Sequence, residues 1–162
     1  MNCLDNYKAI KEEVCKLQSK SNIIVVTKNR SFDIILPIIR SGQVHFGENK
    51  VQEAKEKWVN FLNLNKDVKL HLIGKLQSNK AKDAFGLFDF IHTLDSEKLA
   101  KKFSDLELNS ERKIKYFIQI NIANEVLRQY KKVNNVLVTV HKPKAPIKFK
   151  FKDVQVQIEV KR

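Results

Sequence analysis

Ile23-Ile24-Val25-Val26-Thr27-Lys28 is a short, uninterrupted β-branched run that ends on a lysine. Continuous β-branched residues mark a strand covered on both faces, as in a parallel sheet. The flanking sequence is helical in pattern. Residues 4–18 place Leu4, Tyr7, Ile10, Lys11, Val14, Cys15 and Leu17 at mostly helical spacing, which predicts an amphipathic helix. Downstream, Ser31 is placed to cap a helix from Phe32 to Arg40, with Pro37 as a source of a kink and Gly42 where a left-handed C-terminal residue belongs.

The alternation continues. Val44 to Phe46 predicts a second strand, and Asn49 is placed to cap a helix over Val51–Leu62. Val68 to Ile73 predicts a third strand ending at Gly74, followed by a polar helix around Ser78–Ala84. Phe90 to Leu94 predicts a fourth, with Asp95 or Ser96 capping a helix through Phe103, and Ile114 to Ile122 a fifth. Strands recurring every 20–30 residues or so, with helices between them, build a parallel sheet with helices outside. The fold class is therefore α/β, an incomplete (β/α) barrel of about five parallel strands; a closed eight-stranded barrel takes about 250 residues. Functional residues of such folds gather at the C-terminal strand ends. Here those are Thr27-Lys28, Gly47-Glu48-Asn49, Gly74 and Asn121.

Beyond Asn124 the pattern changes. Glu125 to Asn134 predicts a short helix; Val136, Val138 and Val140 then alternate with other residues, as do Val154, Val156, Ile158 and Val160. Period-two alternation indicates antiparallel strands with one wet face. Pro143-Lys144-Ala145-Pro146 between them makes a stiff turn. The expected organisation is a barrel-like unit over 1–124 and a C-terminal segment over 125–162.

Composition excludes several classes. The 162 residues suffice for one ordinary domain, and a 43% hydrophobic share with ten Phe excludes wholesale disorder. No apolar run is long enough to span a membrane, and the first twenty residues carry no secretory pattern. Cys3 and Cys15 form no CxxC pair and lie far apart on one predicted helix, so reduced thiols in a cytoplasm are expected. The net charge is +13, from 31 Lys and Arg against 18 Asp and Glu. Twenty-six of the cations are scattered lysines with no interleaved Arg and aromatics, so no nucleic-acid partner is expected. His45, His71, His92 and His141 stand singly in sequence, without metal-ligand spacing, and no metal is expected. Trp58, Phe85, Phe88 and Phe90 are expected in the core.

Lys28 is the residue with chemistry. An amine at a strand mouth, against apolar walls, would have a depressed pKa and could condense with a carbonyl; spacing alone favours one more solvated surface lysine, since lysine at a strand end is common in a surface loop. The surrounding words favour the first reading. Val25-Val26-Thr27-Lys28, the Phe46-Gly47-Glu48-Asn49 word with Gln52-Glu53, the Ile73-Gly74-Lys75-Leu76-Gln77-Ser78-Asn79-Lys80 word, His92-Thr93-Leu94-Asp95 and Gln119-Ile120-Asn121-Ile122 resemble, in order, the pyridoxal phosphate homeostasis family. These are PLP-binding barrels similar to the N-terminal barrel of alanine racemase. The resemblance covers about residues 1–124. It implies that Lys28 is the Schiff-base lysine, that Asn49 sits near the cofactor, and that the protein binds PLP without catalysing a reaction. The family's phosphate-holding turns are rich in glycine and lie late in the chain, whereas all four glycines here (42, 47, 74 and 86) lie early. PLP binding is accordingly expected to be weakened or lost.

The tail carries a second resemblance. Val138-Thr139-Val140-His141-Lys142-Pro143-Lys144-Ala145-Pro146-Ile147 resembles the C-terminal end of dihydroneopterin aldolase, with Lys142 at the position of its catalytic lysine. The expected picture is a gene fusion: a degenerate PLP-binding protein whose alternatives are a remnant without function or a residual aldolase-like subunit. Five parallel strands leave an open edge. That predicts marginal stability, or a homo-oligomer that covers the edge.

Overall fold

The computed structural model describes residues 2–17 and 21–118, and the backbone of 137–138 and 147–148. Helix α1 (Cys3–Lys16) starts from a capping box that the sequence reading missed: the Asp5 amide donates to the Asn2 side chain at 2.9 Å while the Asn2 amide donates back to the Asp5 carboxylate. There follow β1 (Val25–Val26), α2 (Phe32–Arg40), β2 (His45–Glu48), α3 (Val51–Leu62), β3 (Lys69–Leu72), a short 3-10 turn (Ser78–Lys80), α4 (Ala81–Leu87), β4 (Phe90–Leu94), α5 (Glu97–Leu108) and β5 (Lys115–Ile118). The strands form one all-parallel sheet in the order β1-β2-β3-β4-β5, the expected α/β architecture.

Register divides the side chains into two sets. Phe46, Leu70, Leu72, Ile91 and Tyr116 face the helices and are fully or almost fully buried. Against them pack Trp58 of α3, whose ring centroid lies 5.1 Å from that of Phe46, and Phe103 of α5, 5.1 Å from Tyr116. The alternate set, including His45, Gly47, His71, Phe90 and His92, lies on the opposite face, the side that would line a barrel. Phe90 was expected in the core with Trp58, Phe85 and Phe88; those three are buried, but Phe90 is half-buried on the inner face.

Local boundaries follow chain chemistry. Helix α3 covers the predicted span, but its N-cap is Lys50 and no side chain caps it, so Asn49 does not hold the predicted capping role. Ser31 is the N-cap of α2, with no side-chain bond, and the helix runs through Pro37. Gly42 closes it at φ +87°, its amide bonded to the Ile39 carbonyl at 2.9 Å. Ser96 is the N-cap of α5, which continues past Phe103 to Leu108. Cys3 and Cys15 are exposed free thiols, not packing residues.

Gly86 lies inside α4 with nothing within 4 Å of where a Cβ would stand. Gly86→Ala is expected to stabilise the chain by about 0.5–1 kcal/mol, because alanine loses less backbone entropy in a helix. A urea midpoint that moves down would contradict the open surroundings of that turn.

Leu137–Val138 (β6) pairs antiparallel with Ile147–Lys148 (β7), in the register Leu137↔Lys148 and Val138↔Ile147. The predicted helix over 125–134, Asn121, the Lys142 turn and the alternating stretch 154–160 lie outside the described residues. Among the described residues, no helix is long and apolar enough to cross a membrane.

Candidate functional site

The C-terminal rim of the sheet gathers Thr27, Lys28, Glu48, Asn49 and Gly74 among the residues the sequence singled out; Asn121 lies outside the described residues. The pairs Val25↔Phe46 and Val26↔Gly47 put Lys28 and Asn49 each two residues beyond paired positions on adjacent strands. Gly74 stands one strand further along. Its backbone lies directly against that of Asn49: a Cβ on Gly74 would fall on the Asn49 carbonyl oxygen and within 2.7 Å of the Asn49 Cα. Backbone bonds join the ends of β1 to β2 and β2 to β3, and the Thr93 hydroxyl of β4 donates to the Gly74 carbonyl at 2.7 Å, so four consecutive strand ends are linked. Lys28 is exposed and Asn49 half-buried. The apolar walls expected around Lys28 are therefore not there: the strand covers Thr27, but the following turn carries the amine out into water.

A buried polar network lies under that turn. Glu48, fully buried at the end of β2, takes hydrogen bonds at Oε1 from the Thr27 hydroxyl (2.7 Å), Trp58 Nε1 (2.9 Å) and Lys57 Nζ (3.0 Å). The Lys57 ammonium also donates to the Thr27 carbonyl at 2.8 Å and reaches Glu53 at 3.4 Å. Glu53 in turn accepts the Asn29 amide at 2.6 Å. That amide, followed by the Lys57 ammonium, holds the Glu53 carboxyl below its ordinary pKa. Asn29 sits at φ +56°, a left-handed conformation that asparagine tolerates better than most residues.

The inner face holds a feature that no local pattern announces. His45 Nδ1 lies 2.9 Å from His71 Nε2, and His71 Nδ1 lies 2.8 Å from His92 Nε2. The three imidazoles, read singly in sequence, form one hydrogen-bonded row across β2, β3 and β4. Phe90 stacks on His71 at 4.1 Å between centroids and Phe117 on His92 at 4.3 Å. Burial, then the neighbouring rings His92 and His45, pushes His71 down to about 3; burial also lowers His45, opposed by Asp89 and aided by Lys69 and Lys115.

Curated relatives share this stretch. The chain is 38% identical over 146 residues to the pyridoxal phosphate homeostasis protein of Buchnera aphidicola subsp. Schizaphis graminum, covering 79% of this chain and 61% of that protein. It is 36% identical over 108 residues to the protein of the same name from Pasteurella multocida, covering 67% and 46%. Among solved structures, PipY of Synechococcus elongatus with PLP bound superposes with a TM-score of 0.61 at 37% identity, over 71% of this chain and 56% of that one. Over the shared stretch, the chain belongs to the pyridoxal phosphate homeostasis protein family. No family model matches the chain. The chain spans about half the length of the curated relatives it matches. Membership accounts for the parallel sheet and for the order of the sequence words along its rim. Within Phe46-Gly47-Glu48-Asn49 of this chain, the Glu48 side chain turns toward α3 and holds the end of β1 through Thr27.

Proposed function

We propose that the protein binds pyridoxal 5'-phosphate in the cytoplasm, without catalytic turnover, and that Lys28 is the amine that bonds it. The observation carrying this reading is the place of Lys28, exposed at the C-terminal end of β1 on a turn whose flanking residues are both hydrogen-bonded. Condensation of its neutral amine with the cofactor aldehyde forms a C=N bond and releases one water. PLP bound to the related PipY supports the ligand, and the exposed free thiols of Cys3 and Cys15 suit a reducing compartment. Asn49, half-buried beside Gly74, is the second residue of the site in this reading. Residues 125–162 form a separate unit of aldolase-like sequence.

Mixing the protein with PLP, reducing with borohydride and mapping the adduct tests the reading. Label concentrated on Lys28, and absent from Lys28→Ala together with the absorbance of the cofactor–lysine bond, is the expected result. Label spread over many lysines and unchanged in Lys28→Ala would overturn it, leaving a remnant without selected activity.

A further inference from the structure

Lys57 is an expensive residue to place where it is. Its side chain is only 11% exposed, and the Glu48 side chain paired with it is fully buried. Buried ion pairs seldom stabilise a fold more than well-packed apolar residues would, because both charges lose their water. This pair is also unevenly built: three donors converge on Glu48 Oε1, and Oε2 has no hydrogen-bond partner among the described residues. Stability alone does not account for such an arrangement.

Its geometry points elsewhere. The ammonium holds the Thr27 carbonyl at 2.8 Å, and Glu48, which it pairs, holds the Thr27 hydroxyl at 2.7 Å. The Thr27 amide is bonded to the Gly47 carbonyl at 3.0 Å, so Thr27 is fixed at its amide, hydroxyl and carbonyl. On the other side of Lys28, Glu53 takes the Asn29 amide, and Lys57 stands one helical turn from Glu53 on α3. The Arg30 amide closes the turn onto the Thr27 carbonyl at 3.2 Å. Lys28 thus projects from a peptide held on both sides by one helix. An amine on a fixed base loses less freedom on reaching a carbonyl than one on a mobile loop, because ordering of the backbone has been completed in folding.

We infer that Lys57, acting through Glu48, Glu53 and Thr27, is the positioning residue for the Lys28 amine. The inference rests on the reading of Lys28 given above and adds to it the machinery that aims the group. Lys57 acts through the backbone on either side of Lys28, by its bond to the Thr27 carbonyl and its pairing with Glu48 and Glu53.

Two measurements on the full chain test it. Lys57→Met removes the ammonium and keeps most of the stem. Glu53→Gln weakens the Asn29 link at a better solvated position, and serves if Lys57→Met does not fold. Lys55→Met, which breaks only the exposed pair with Asp83, is the control. Amide exchange at Asn29 and Arg30 is expected to quicken about tenfold or more in Lys57→Met, less in Glu53→Gln and not in Lys55→Met. In PLP labelling with borohydride, the rate at Lys28 relative to the other lysines is expected to fall about tenfold in Lys57→Met, with the label on exposed lysines unchanged. A merely structural role would change the melting temperature without this selective loss. Unchanged exchange at Asn29 in both variants overturns the inference, as does faster exchange with Lys28 labelled as in the parent. A parent chain that does not favour Lys28 at all overturns the cofactor reading first, and the positioning role with it.

Discussion

Gly74→Ala is expected to destabilise the protein by about 3 kcal/mol or more, the upper end of overpacking costs. The added Cβ would overlap the Asn49 carbonyl oxygen and stand 2.7 and 2.8 Å from the Asn49 Cα and carbonyl carbon. All three are backbone atoms, so no side chain can swing aside. Relief requires the ends of β2 and β3 to part. That would strain the bond from the Ile73 amide to the Glu48 carbonyl (2.9 Å) and the one from Thr93 to Gly74. Urea unfolding of Gly74→Ala beside Gly86→Ala checks the argument, since both add one methyl group to a glycine. A Gly74→Ala midpoint near that of the parent would mean that the two strand ends do not approach as described.

The contrast between these glycines shows what was legible in sequence. Gly74 stood out as the residue ending a strand at the functional rim, but its reason is contact with a residue 25 positions away. Local pattern reached what local physics controls. The β-branched run at Ile23–Val26, the apolar face Val51, Ala54 and Trp58 of α3, and the glycine after α2 each predicted their element, and β4 matched at both ends. It failed where the deciding partner is distant. Glu48 looked like part of a rim word; its role is set by Trp58, Lys57 and Thr27, which the fold brings onto one carboxylate oxygen. Glu53 and Lys57, four apart on one helix, were the single local hint of the network. Lys28 stands at the end of its strand, yet the burial inferred from that strand reaches only Thr27, one residue earlier, and Lys28 is exposed.

The histidine row is the clearest case, because its members are 26 and 21 residues apart in sequence. Only sheet register aligns them: His71 pairs with both Gly47 and Phe90, which places it between His45 and His92. A parallel sheet with one histidine on each of three adjacent strands can build such a row without any motif. The same face also shows why the helix side and the inner side cannot be told apart by hydrophobicity alone. Phe90 and Phe117 are as apolar as Phe46, but they stack on imidazoles instead of packing under helices.

Acid should therefore unfold this protein through a specific group. Each of the two contacts in the row needs one proton between two nitrogens. Three neutral rings satisfy both contacts with their protons all pointing one way, and one extra proton can still be housed at an outer nitrogen. A second extra proton sets two N–H groups against each other and breaks the row. Burial makes even the first proton costly at His71, whose pKa is pushed from 6.5 to about 3. Unfolded, the ring takes its proton near pH 6.5; folded, only near pH 3. Between those values the unfolded chain holds more protons, so stability rises with pH across the window, is complete above about pH 6.5, and drains away as pH falls toward 3. The full loss is on the order of 5 kcal/mol. Urea unfolding from pH 7.5 down to 4.5 measures the part of it that falls above pH 4.5, and His71→Asn separates this group from the carboxylates that titrate in the same range. The variant is expected to start less stable at pH 7.5 and to lose less on acidification. Parallel slopes for the two proteins would show that His71 is protonated without penalty, and that the imidazoles do not form a closed row in solution.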